Sequence, residues 1–174
     1  MFYLNSGKVS VSTVHALVGS GVFAAFFNDS TGFEFADQFV SPPNPPATTP
    51  FALTAGGEAL QLLGRAISGA TSVQKLSFTP NPYLSGCSGT YPLFIGWMFK
   101  RGTARQAFVV NLSDQSKTIA TSAIFSSGGS YEQRFADPLT LVTGPGSVAN
   151  ASGALPATLT LAPYSVTRLS NAAP

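Results

Sequence analysis

Apolar and polar positions alternate with a period of two through most of the chain after residue 72. Such alternation is typical of strands with one buried face, and clusters of Gly, Ser, Asp and Pro separate the alternating segments as turns do. The predicted strands cover residues 73–78, 93–100, 106–112, 117–124, 130–135, 139–142, 157–161 and 165–169. Seven to eight strands without helical crossovers predict a mainly β protein with an antiparallel β-sandwich.

The first 71 residues follow a different pattern. In residues 9–14, Val9, Val11 and Thr13 alternate with Ser10 and Ser12, which predicts a short strand. Residues 41–50 contain five prolines, which exclude a helix and a central strand and indicate an extended loop. The chain therefore divides into a strand-loop-helix unit over residues 1–71 and a β-sandwich domain over residues 72–174.

The helix of this first unit is the one segment with a clear helical period. Leu60, Leu63 and Ile67 recur at helical spacing and are flanked by Ala59, Leu62 and Ala66. Thr54 is a suitable N-cap, and Gly69 is a suitable residue to end the helix.

Composition restricts the class of protein. Charged residues make up 9% of the chain, against about 25% in a typical soluble domain, and the net charge is +2. The basic residues are too few and too scattered for a nucleic-acid surface. No apolar run is long enough to span a membrane. The low charge and the abundance of Ser, Thr, Gly and Asn are typical of secreted β-rich proteins, although the N-terminus shows no signal peptide. The chain is therefore expected to be either mature or the later part of a longer protein.

Three sequons begin at Asn28, Asn111 and Asn150. In a eukaryotic secreted protein they predict glycans on surface loops. Cys87 is the sole cysteine, so an intrachain disulfide is excluded. Two interpretations of Cys87 remain: an inert loop thiol, or a disulfide to a segment that is missing from this chain.

Three segments carry a family resemblance. Residues 58–65 read Glu-Ala-Leu-Gln-Leu-Leu-Gly-Arg, residues 108–113 read Phe-Val-Val-Asn-Leu-Ser, and residues 161–169 read Leu-Ala-Pro-Tyr-Ser-Val-Thr-Arg-Leu. In this order they resemble the C-terminal part of retaining (β/α)8-barrel glycoside hydrolases of the α-L-arabinofuranosidase and heparanase or β-glucuronidase kind. The resemblance implies that residues 1–71 form the last barrel strand and helix and that the sandwich follows them.

The resemblance also implies that catalytic residues are absent from this chain. Retaining hydrolysis needs two carboxyl groups about 5–5.5 Å apart, and the resembled families place both on earlier barrel strands. Glu34 and Asp37, beside several Phe residues, are the alternative catalytic pair, but solvated or turn-capping carboxylates are the simpler interpretation. One His and one Cys predict no metal site, and no cofactor motif occurs.

His15 is the one candidate substrate-binding residue. It follows the predicted last barrel strand, and barrels build their active sites at the carboxyl ends of their strands. The alternative is a histidine that is hydrogen-bonded at a strand end.

These features favour a non-catalytic accessory region of a secreted glycoside hydrolase that braces the catalytic barrel. The barrel would be supplied in cis or by a separate chain, and a polysaccharide is a further partner. One alternative is a stand-alone carbohydrate-binding module, which predicts an exposed row of Tyr or Phe on a sheet face. Another is a self-associating extracellular structural protein. Trp97 lies in an apolar segment and is expected in the core rather than on a sugar-binding surface.

Overall fold

A computed structural model describes residues 16–18, 24–26, 53, 55–86, 89–125, 128–135 and 148–171. Within these residues the chain forms one α-helix, α1 (Ala55–Ile67), twelve short strands and a 3-10 turn at Thr121–Ala123. The strands are β1 (Ala16–Val18), β2 (Ala24–Phe26), β3 (Ser72–Lys75), β4 (Tyr83–Gly86), β5 (Gly89–Pro92), β6 (Phe94–Arg101), β7 (Ala104–Asn111), β8 (Lys117–Ala120), β9 (Ser130–Phe135), β10 (Ala149–Ala154), β11 (Thr158–Leu161) and β12 (Ser165–Ser170).

The largest sheet has six strands in the order β10-β9-β12-β7-β6-β3, and every pairing in it is antiparallel. β6 and β7 form its longest hairpin, from Phe94 opposite Asn111 to Arg101 opposite Ala104. The hairpin turns at Gly102, whose φ of 56° is left-handed and suits glycine. Smaller antiparallel pairs join β8 to β11 and β4 to β5. The predicted mainly β, antiparallel sandwich is confirmed.

Other elements cover both faces of the six-stranded sheet, as the side chains of β7 illustrate. Phe108 and Val110 point to the face that packs against α1, whereas Ala107 and Val109 point to the opposite face. The α1 face holds a cluster of Leu62, Ala66, Trp97, Phe99 and Phe108. The opposite face packs against β8 and β11 through Ala107, Val109, Ile119, Phe125, Leu159, Leu161 and Leu169. Side chains of β7 thus alternate between the two faces, and because both faces are covered, residues 107–110 form a continuous apolar run.

The buried stripe of α1 is formed by the flanking residues Leu62 and Ala66, with Leu63 packed against them. Leu62 and Ala66 are 0% and 2% exposed, whereas Leu60 and Ile67 are 40% and 39% exposed. The helix carries apolar residues on more than one face, so its periodicity does not decide which face packs. The small Ala66 side chain allows the aromatic rings of the sheet to approach the helix closely. Gly69 does end the helix as predicted, with a φ of 67°, while Thr54 lies outside the described residues.

Some strand predictions differ from the structure in extent. β3 ends at Lys75 instead of continuing to residue 78, and β8 passes into the 3-10 turn at Thr121 instead of continuing to residue 124. Five strands were not predicted: β1, β2, β4, β5 and β10. The first four have only three or four residues, and β10 consists of small residues without apolar alternation. The predicted strands at residues 9–14 and 139–142 lie outside the described residues.

A parallel pair of strands accompanies the helix in the first part of the chain. β1 and β2 pair in parallel, with Ala16 opposite Ala24 and Val18 opposite Phe26. α1 contacts β2 as well as β7, β9 and β12 of the six-stranded sheet. The helix therefore connects the parallel pair to the sandwich.

Candidate functional site

Charged side chains from three elements meet where α1 lies on the sheet. Glu58 and Arg65 are seven residues apart on α1, so they project from the same side of the helix. Glu132 and Arg134 are two residues apart on β9, so they share one face of the sheet. Arg168 lies directly opposite Glu132 on β12. We call these five residues the seam cluster.

Short contacts join the members of the seam cluster. Glu132 is its centre: Oε2 lies 2.7 Å from Arg65 Nη1, and Oε1 lies 2.6 Å from Arg168 Nη1. Arg134 donates from Nε to Oε2 of Glu58 at 3.0 Å, and its Nη2 lies 3.8 Å from Oε2 of Glu132. Two carboxylates thus accept from three guanidinium groups, and the cluster fastens the helix to β9 and β12.

Neutralising Glu132 tests this fastening. Glu132→Gln is expected to lower the free energy of unfolding by about 1–3 kcal/mol, because charge-assisted hydrogen bonds from Arg65 and Arg168 are lost in a partly buried setting. Urea denaturation measures the change, which is expected to shrink in 1 M salt. Asp114→Asn, at an exposed turn, is the matched control and is expected to stay within about 0.5 kcal/mol of the unaltered chain. Equal effects of the two substitutions would refute the structural role of the cluster.

A second polar centre surrounds Asn111 at the end of β7. The side chain is 0% exposed. Its Nδ2 donates to the carbonyls of Gln115 at 2.9 Å and Ala162 at 2.8 Å, and its Oδ1 accepts from the backbone N–H of Ser113 at 2.9 Å and from Ser113 Oγ at 2.8 Å. The two sequence motifs at residues 108–113 and 161–169 therefore meet at one buried amide, which fixes the turn after β7 against the turn before β12.

The candidate glycan acceptors lie in different environments. Asn111 does not occupy the predicted surface loop: it belongs to a strand, and the Nδ2 atom that would carry a glycan is committed to buried carbonyls. Asn150 is exposed on β10, and a glycan there stays a prediction.

Other candidate residues lie outside the described part of the chain. These are His15, Asn28, Glu34, Asp37 and Cys87.

Aromatic side chains of the sheet are mostly enclosed. Trp97 is 2% exposed beneath α1, so its predicted place in the core is confirmed. Among the described residues the exposed aromatic side chains are Tyr83 at 62% and Tyr164 at 39%. They lie on β4 and in the turn before β12, and in this part of the chain they do not form a row on a sheet face. The arrangement expected of a stand-alone carbohydrate-binding module is thus not found in the described residues.

A groove of about 310 Å³ lies between residues 76–79 and β8. Leu76, Phe78 and Ile119 contribute to its apolar lining. Lys117 lies at the groove, where its Nζ donates to the carbonyl of Pro80 at 3.3 Å and stands 5.4 Å from the centre of the Phe94 ring. Among the described residues, no carboxylate lines this groove.

The described residues contain neither a cluster of metal ligands nor a helix that could span a membrane. Nowhere in the described ranges do three His, Cys, Asp or Glu side chains come together as metal ligands would. No helix in the described part of the chain has the length and apolar character needed to cross a membrane.

Comparison with known proteins gives glycoside hydrolases as structural neighbours. No family model and no curated protein matches the sequence. The GH51 α-L-arabinofuranosidase of Thermotoga petrophila RKU-1 is 13% identical over 47% of this chain and 20% of its own, with a TM-score of 0.38. A glycoside hydrolase family 97 enzyme of Pseudoalteromonas sp. strain K8, in complex with acarbose, is 14% identical over 44% of this chain and 14% of its own, with a TM-score of 0.32. The chain thus spans a fifth or less of the length of these proteins, and likeness at this level assigns no function.

Proposed function

We propose that this chain is a non-catalytic accessory region of a secreted glycoside hydrolase. Residues 1–71 would complete a catalytic (β/α)8 barrel with its last strand and helix, and the β-sandwich of residues 72–174 would brace that barrel. The barrel is the principal partner, in cis or as a separate chain. A polysaccharide is the expected substrate of the assembly.

The observation that carries the proposal is the position of α1. The helix contacts a parallel strand pair as well as the sandwich sheet. Parallel sheets occur almost only in α/β folds, where helices cover them. Two parallel strands of three residues each are too small to be stable alone, so β1 and β2 need further strands, and we infer that a partner supplies at least some of them. A barrel that lacks its last unit supplies such strands.

The acids of the described residues support a bracing role over a catalytic one. The carboxylates of Glu58 and Glu132 both form ion pairs with arginine side chains of the seam cluster. Asp114 lies on an exposed turn. A retaining glycosidase needs two carboxyl groups free to face one sugar, and these three side chains do not supply such a pair.

Assays of the purified 174-residue chain test the absence of catalysis. We expect no hydrolysis of 4-nitrophenyl α-L-arabinofuranoside or 4-nitrophenyl β-glucuronide above the rate of a buffer blank. Hydrolysis that disappears in Glu34→Gln or Asp37→Asn would overturn the proposal and place the catalytic pair in residues 1–54.

The coding sequence upstream of Met1 tests the bracing role. The proposal predicts an open frame that encodes further βα units, with two carboxylates at the carboxyl ends of strands, or a neighbouring gene that encodes them. If neither is present, the proposal that this chain braces a barrel is refuted, whatever the result of the activity assay.

A further inference from the structure

We draw no further inference here: the strongest candidate, the exposed apolar face of α1 that Leu60, Gly64 and Ile67 form among the described residues, carries none because nothing in the structure shows what covers it.

Discussion

Replacing Phe108 with alanine is expected to lower the free energy of unfolding by about 3–5 kcal/mol. Phe108 is 0% exposed at the middle of β7, opposite Trp97 on β6 and Arg168 on β12. Its ring belongs to the cluster that holds α1 on the sheet. Truncation removes the transfer free energy of the ring and leaves a cavity between two layers whose backbones cannot close fully.

Equilibrium urea denaturation, followed by the fluorescence of Trp97, measures this loss. Because Trp97 lies in the same cluster, its emission reports separation of the helix from the sheet. Tyr83→Ala is the matched control, since it also truncates an aromatic ring but at a position that is 62% exposed. The control is expected to change the free energy by about 0.5 kcal/mol or less. Similar losses in the two variants would contradict the assignment of the core to the α1 face of β7.

The core strands could be predicted from the sequence because their pattern is regular. In β6 and β7 the apolar run covers both faces, and both faces prove to be buried, one by α1 and one by β8 and β11. The helix was predicted at the right place, but its packed side was not. Leu60 is as apolar as Leu62, so the sequence alone does not show that Leu62 is buried while Leu60 is 40% exposed.

Other features carry no local signal in the sequence. The seam cluster joins residues that are 67 and 76 positions apart, Arg65 with Glu132 and Glu58 with Arg134. No short motif connects such pairs, and their register depends on how β9 and α1 pack. β10 has small and polar residues that are also typical of loops, because an exposed edge strand needs no apolar face.

For Asn111 the sequence shows a motif, but only the structure shows the physical role of the residue. The segment at residues 108–113 carries the family resemblance, but its sequence does not reveal that the amide is buried or which groups it contacts. In the structure Asn111 is enclosed by the carbonyls of Gln115 and Ala162 and by the amide and hydroxyl of Ser113. Asn111 is buried, whereas Asn150, which begins another sequon, is exposed.

Replacing Asn111 with aspartate is expected to cost about 3–5 kcal/mol of the free energy of unfolding at neutral pH. The substitution keeps the shape of the side chain but turns the donating Nδ2 into an oxygen. An ionised carboxylate would face the carbonyl oxygens of Gln115 and Ala162, which lie 2.9 and 2.8 Å from Nδ2 in the unaltered chain. A buried charge without a donor on that side has lost its hydration and gained two repulsive contacts.

The loss from this substitution depends on pH in a fixed direction. Burial and the two carbonyls raise the pKa of the introduced carboxyl in the folded chain above its value in the unfolded chain. Below the unfolded pKa the carboxyl is protonated in both states and donates one hydrogen bond, so the loss is smallest there. As the pH rises from the unfolded pKa to the raised folded pKa, the folded state binds more protons than the unfolded state, and stability falls. The loss is complete above the folded pKa.

Thermal or urea unfolding between pH 3 and pH 8 measures this dependence, with the unaltered chain as reference at each pH. Asn150→Asp makes the same chemical change on the exposed edge of β10. Water and counter-ions solvate the carboxylate there, so the control is expected to stay within about 0.5 kcal/mol of the unaltered chain at every pH. A difference between the two variants that grows with pH follows only if the Asn111 amide is buried and donating. A loss that is constant from pH 3 to pH 8 would show that shape or the Ser113 contacts dominate, and would contradict the hydrogen bonds assigned to Nδ2.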